Sequence, residues 1–231
     1  MSNSQIRRRS GKRRALFLIP LAAVALTAVS ACGSDDDIRP AEAGRAAPSA
    51  APTGSAAPTD PAALTCQGQG IDESAPIHYR AETVINAPLS TVWNLHTDVA
   101  RWSEWQQAVA TIERLDQGPL QPGSQFRWTT PVPATTLSPA TTLSITSSVQ
   151  QLEQNKCIRW TGPAVGEGVH IDNGTHVWNF TEVDGGVLVR TEENWNGAQV
   201  EADVPTSTGF LGAGLETWLA ELKATAEAHH G

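Results

Sequence analysis

His176-Val177-Trp178-Asn179-Phe180, the Asp184-Gly185-Gly186 turn and Val187-Leu188-Val189-Arg190-Thr191-Glu192-Glu193-Asn194-Trp195 read as one unit, two alternating runs joined by glycines. Asp-Gly or Gly-Gly between alternating runs is the strongest short-range signal of a β-hairpin, and an even-length turn sets even positions of one strand beside odd positions of the other. One face then carries His176, Trp178, Phe180, Val189, Thr191, Glu193 and Trp195. A mainly aromatic wall holding one imidazole and one carboxyl suits a pocket for a largely apolar molecule. His176 and Glu193 fall either directly opposite or one diagonal apart according to turn length, within hydrogen-bond reach in both cases.

Working outward, Ile77 to Ile85 alternates so that Ile77, Tyr79, Ala81, Thr83 and Ile85 face inward. Pro88 opens a short helical stretch carrying Val92, Trp93 and Leu95, and Asp98 is placed to start a second short turn through Trp102. Strands are expected at Ala108 to Leu115, Ser124 to Thr130, Thr141 to Gln151 and Lys156 to Thr161, forming an antiparallel meander. The segment Pro131 to Pro139 holds three prolines with Thr and Ser between them, the composition of a loop over a pocket mouth or of surface filler. After Pro205, Leu211, Leu215, Trp218, Leu219, Leu222 and Ala226 recur at helical spacing, giving an amphipathic helix of about five turns that must pack on the sheet. Gly209, Gly212 and Gly214 each lower helix propensity at its start by about 1 kcal/mol relative to Ala, an unfavourable local choice that points to a functional end.

The N-terminus has a different character. Arg7, Arg8, Arg9, Lys12, Arg13 and Arg14 precede a 15-residue apolar run, Ala15 to Val29, ending at Val29-Ser30-Ala31-Cys32. The run is shorter than the ~20 residues a membrane-spanning helix needs, so residues 1–31 read as a cleaved signal peptide with a lipobox-like end. This segment resembles the bacterial lipoprotein signal, in which the thiol, here Cys32, takes a diacylglyceryl group and becomes the new N-terminus. Two acyl chains would anchor the protein stably on the outer face of the bacterial cytoplasmic membrane, in the cell envelope. Arg13-Arg14 also resembles a twin-arginine export signal, so the export route stays open. Residues 32–70, rich in Ala, Pro, Ser and Thr, bury too little apolar surface to order and read as a flexible tether.

Without the leader, ten Lys and Arg face 24 Asp and Glu, a net charge of −14. That charge repels phosphate backbones and anionic headgroups, which argues against nucleic acid and leaves the lipid anchor as the route to the membrane. An exported chain permits disulfides, so Cys66 and Cys157 are either bridged, worth roughly 4 kcal/mol in the chain-entropy model, or two unpaired thiols. His170, Asp172 and His176 alternate, but a turn at Asp172-Asn173-Gly174 is expected to interrupt the strand and nothing completes a first shell, so neither metal nor cofactor is expected. There is no Gly-rich phosphate loop and no Gly-x-Ser-x-Gly. Oligomeric state is not specified.

Strand, two short helices, six antiparallel strands and a long C-terminal helix resembles the START-like (SRPBCC) superfamily. Ile85-Asn86-Ala87-Pro88, Val92-Trp93, Thr97-Asp98-Val99 and Trp102-x-x-Trp105 resemble the opening of its polyketide cyclase/dehydrase-like branch. So do Gly123-Ser124-Gln125-Phe126-Arg127-Trp128, Ile158-Arg159-Trp160-Thr161-Gly162-Pro163, the His176 hairpin and Thr191-Glu192-Glu193. The resemblance covers roughly Ile77 to Glu227 and implies, for a domain of residues 71–231, an α+β helix-grip fold: a curved antiparallel sheet of about seven strands wrapped around the C-terminal helix. It also implies a hydrophobic ligand cavity and, in some members, cyclisation, dehydration or lipid carriage.

Three functions follow as expectations. The first is a membrane-anchored cell-envelope lipoprotein that binds a small hydrophobic or amphipathic molecule. Its ligand-facing residues are Tyr79, Phe126, Trp128, Trp160, Trp178, Phe180, Thr191, Trp195, Leu211 and Leu215. The second is a cyclase/dehydratase, a metal-free lyase-type enzyme using His176 and Glu193 as an acid/base pair. The third is a protein-interaction module with a filled core. The residues favour a carrier over an enzyme.

Overall fold

A computed structural model describes residues 63–135 and 138–229. The signal peptide, Cys32 and most of the tether lie outside the described residues. Seven strands, β1 (Ile77–Ile85), β2 (Thr111–Arg114), β3 (Gln125–Val132), β4 (Thr141–Glu153), β5 (Cys157–Gly166), β6 (Val169–Val183) and β7 (Gly186–Asn196), form one antiparallel sheet in the order β1-β7-β6-β5-β4-β3-β2. Helix α1 (Leu89–Thr97) and a 3-10 helix (Val99–Glu104) follow β1, and the long helix α2 (Val204–Ala228) closes the chain. This is the helix-grip architecture, two short helices included. Among the described residues no helix is long and apolar enough to cross a membrane.

The β6–β7 hairpin keeps the expected phase. His176 pairs with Glu193, Trp178 with Thr191 and Phe180 with Val189, so the two registers left open resolve to direct opposition. One local reading is overturned. Asp172-Asn173-Gly174 does not break the strand; pairing runs on from Gly162–Gly174 to Ala164–Ile171, and the extra β6 residue is a bulge. Ladders on both sides hold the backbone where local turn propensity would have ended it, and the bulge shifts the inward phase from even to odd positions. Gly162, opposite this bulge, has the Thr146 carbonyl oxygen 1.8 Å from where a Cβ would stand, so the sheet curves there only because the residue is glycine.

Helix α2 spans 25 residues, about seven turns rather than five. Asp203 extends it at the start by accepting a hydrogen bond from the Thr206 N–H, with Pro205 in the first turn, where its missing N–H costs nothing. Gly212 lies against the Tyr79 ring, which would stand 2.8 Å from a Cβ, so this glycine lets the helix approach β1.

The boundary at residue 70 is also corrected, because residues 64–72 are fastened across the outer face of the sheet. Leu64 is buried and its N–H donates to Glu192 Oε2 at 3.1 Å, while Arg80 donates to Glu192 Oε1 at 2.8 Å. Asn179 donates to the Thr65 carbonyl, Arg159 to the Gly70 carbonyl, and the Asp72 N–H to Asn194 Oδ1. Cys66 and Cys157 are joined by a disulfide, with Cα atoms 5.4 Å apart. Composition hid this strap, since its attachments are mostly backbone groups, with one thiol, one leucine and the Gln67 amide, which donates to the Leu152 carbonyl.

Candidate functional site

Between the sheet and α2 the concave space has two unlike ends. At one, α1 and the 3-10 helix lay Trp93, His96 and Trp102 onto Phe126, Trp160, Trp178 and Phe180, with Trp218, Leu219 and Leu222 of α2 closing the cluster. At the other end the first half of α2 lies over the strands, and a cavity of about 600 Å³ remains between them. Its walls come from β3 to β7 and from α2, and Pro131, Pro133, Thr135 and Ser138 also line it.

The ligand-facing expectations divide along that line. Trp128, Trp160, Trp195, Leu211, Leu215, His176 and Glu193 line the cavity. Phe126, Trp178 and Phe180 do not: inward phase was read correctly, but that stretch of the face is occupied by α1 and Trp102. Thr191 is wholly buried beneath His176 and meets the ligand space only through it. Tyr79 turns its hydroxyl to the surface, donating to Glu216 Oε1 at 2.6 Å, and that bond raises its phenol pKa. The cavity also uses residues not singled out, among them Val132, Leu143, Ile145, Ser147, Ile171, Val200, Phe210 and Trp218. The odd-position alternation Leu143-Ile145-Ser147 carried the signal in β4; the bulge concealed it in β6.

In the cavity wall His176 Nδ1 lies 3.1 Å from Glu193 Oε2, and its Nε2 shares a 2.7 Å hydrogen bond with Thr191 Oγ1. The Trp195 indole N–H donates to Glu193 Oε1 at 2.8 Å. Burial raises the Glu193 carboxyl to about 7, against the Trp195 hydrogen bond, which lowers it. Burial, with the nearby His96, holds His176 well below its ordinary value. Both side chains are therefore biased toward their neutral forms. With Glu193 protonated, its O–H donates to Nδ1, the Nε2–H donates to Thr191, and the Thr191 hydroxyl donates to the Val177 carbonyl at 3.3 Å. With Glu193 ionised, Nδ1–H donates to the carboxylate and the Thr191 hydroxyl to Nε2. One proton thus reverses the direction of the chain, and the arrangement can give or take that proton at the cavity wall.

His170 and Asp172 pair at 3.0 Å, but among the described residues no group of three or more His, Cys, Asp or Glu is placed to hold a metal ion.

No curated protein matches the sequence. Among solved structures, a START superfamily protein from Mycobacterium smegmatis aligns with a TM-score of 0.52 at 13% identity, over 66% of this chain and 97% of that one. The di-domain ARO/CYC StfQ from the steffimycin biosynthetic pathway aligns with a TM-score of 0.50 at 15% identity, over 66% of this chain and 51% of that one. At such identities the likeness is one of fold. Residues 76–227, from just before β1 to the last turn of α2, match the polyketide cyclase/dehydrase and lipid transport family over well over half of the chain, and the protein belongs to that family.

Proposed function

We propose that this domain binds a small apolar or amphipathic molecule in its internal cavity, within a protein exported and anchored at the cell envelope through Cys32. The observation that supports the binding reading is a void of about 600 Å³ with largely apolar walls, in the size range of ligand pockets. A void of that size argues against the filled-core interaction module. The anchor rests on the leader sequence, with its basic start, apolar run and Ser30-Ala31-Cys32 end. The carrier reading is tested by native mass spectrometry of protein purified from its own host. A small molecule lost on denaturation supports it, and protein that is empty from every preparation sinks it. Cys32→Ser should move the protein from the membrane fraction to the soluble fraction, whereas unchanged partitioning removes the anchor.

A cyclase/dehydratase reading has one specific observation behind it, the His176–Glu193 contact in the cavity wall. Proton transfer by such a pair typically contributes about 100- to 10,000-fold. His176→Ala assayed on candidate polyketides should therefore lose at least about 100-fold, and unchanged turnover removes the catalytic role.

A further inference from the structure

The wall of the cavity is asymmetric in charge. Among the described residues it contains no Lys or Arg, and its ionisable side chains are His176 and Glu193. Glu193 receives hydrogen bonds from Trp195 and, when ionised, from His176, but no cation faces it. Four indoles, those of Trp128, Trp160, Trp195 and Trp218, line the same space, with Trp128 and Trp218 5.6 Å apart edge to face. Indole faces attract cations through the ring quadrupole, and an aromatic enclosure is a recurring way to hold an alkylammonium group. One buried carboxyl without a counter-ion supplies the complementary charge. Outside, residues 63–229 hold eight Lys and Arg against 19 Asp and Glu, a field that concentrates cations at the surface and disfavours anions.

We propose that the cavity takes an apolar amine, its ammonium group against Glu193 among the indoles and its hydrocarbon along Leu211, Leu215, Ile145 and Ile171. This rests on the cavity-binding reading and names its ligand class. Fatty acids and other anionic amphiphiles are disfavoured once Glu193 is ionised, because a carboxylate placed against it would find no Lys or Arg in the wall to separate the two charges. A neutral alcohol fits the apolar walls but leaves the carboxyl without its counter-charge. The groups facing Glu193 are accounted for strand by strand. His176 of β6 is kept neutral by burial and by His96 of α1. Tyr79, its register partner on β1, engages Glu216 of α2 instead.

Decyltrimethylammonium, decanol and decanoate share a chain and differ in charge, and quenching of the cavity tryptophans together with calorimetry reports their binding to the folded domain. The ammonium should bind about tenfold more tightly than the alcohol, the yield of one modest cation–aromatic and charge contact, and decanoate most weakly. Glu193→Gln keeps the side-chain shape; it should erase the ammonium's advantage while leaving decanol within about twofold, since decanol makes no charge contact. A quaternary ammonium does not titrate. Its affinity for the unaltered protein should therefore rise from pH 5.5 to 8.5 as Glu193 ionises, while decanol stays flat, a test that needs no variant to fold. Decanol or decanoate binding as tightly as the ammonium, or a preference unmoved by Glu193→Gln and by pH, overturns the amine assignment and leaves the carrier reading intact. If none of the three binds, both fall.

Discussion

The two halves of α2 lie over the same sheet and do different work. Trp218, Leu219, Leu222 and Ala226 of its second half are sunk in a cluster of indoles and phenyl rings that fills the space between the layers. Leu211 and Leu215 of its first half border a hollow. Strand alternation is the same at both ends, so alternation alone does not decide which end is empty. What decides it is α1 and the 3-10 helix, which bring Trp93, His96 and Trp102 to one end. The disulfide reinforces the difference: Cys157 starts β5 on the filled side, next to Ile158, so the outer strap is stapled behind the packed end. A fold of this kind keeps a packed half and a hollow half in one layer pair.

If that division is real, equal truncations should cost unequal amounts. Trp178 is fully buried, with His96 4.4 Å away ring to ring, and Trp178→Ala should destabilise by about 4–5 kcal/mol, the upper part of the range for enclosed aromatics. Trp195 already borders a void and is partly exposed. Trp195→Ala leaves little new cavity and should cost about 1–2 kcal/mol. Urea denaturation of ligand-free protein measures both, and equal losses would erase the distinction between the ends.

Acid acts on the packed end through His96 and on the hollow end through two groups of opposite sign, His176 and Glu193. His96, buried with neither ring nitrogen partnered, is held at about 3 by desolvation, so the unfolded chain takes up its proton first and stability falls as the pH drops below 6.5. His176 acts in the same direction. Glu193, raised to about 7, acts oppositely: its contribution is full below its unfolded value near 4.5 and is lost as the pH rises through 7. From pH 7 to 5 the two imidazoles lower stability and the Glu193 carboxyl opposes them. Glu193→Gln at the hollow end should deepen that loss by about 2 kcal/mol, and His96→Phe at the filled end should reduce it by about as much. Chemical denaturation at the two pH values gives the slopes. Two variants that shift them in the same direction would contradict this assignment.

How much of this was legible in the sequence follows the same divide. Alternation in the β6–β7 hairpin, the Ile77–Ile85 strand and the Leu211–Ala226 spacing carried the sheet, the grip helix and the His176–Glu193 contact, because each is set by local periodicity. Which inward aromatics meet a ligand was not legible. Trp178 and Phe180 have the same phase as His176, and only the arrival of α1, fixed by long-range packing, removes them from the cavity. The bulge at Asp172-Asn173-Gly174 escaped for a related reason, since those residue types favour a turn and only the neighbouring strands hold them in a ladder. The strap escaped because a polar, small-residue segment gives no periodic signal even when backbone groups and one thiol fasten it.

The finest test adds atoms instead of removing them. Ala226 of α2 is wholly buried in the packed end, and Ala164 of β5, almost as buried by its own surface, lines the hollow. In a filled core three extra carbons force neighbours off their rotamers, so Ala226→Leu should cost about 1–3 kcal/mol. At Ala164 the same carbons enter empty space beside Ile145 and Ile171, and the burial they gain offsets the lost side-chain freedom, so Ala164→Leu should stay within about 0.5 kcal/mol of the parent. Because its new side chain takes up ligand volume, Ala164→Leu should also weaken decyl-chain binding while Ala226→Leu, in whatever fraction folds, does not. The two alanines then report the same property from opposite ends: a position that tolerates a leucine without stability loss but loses its guest marks the hollow, and a position with the reverse pattern marks the plug.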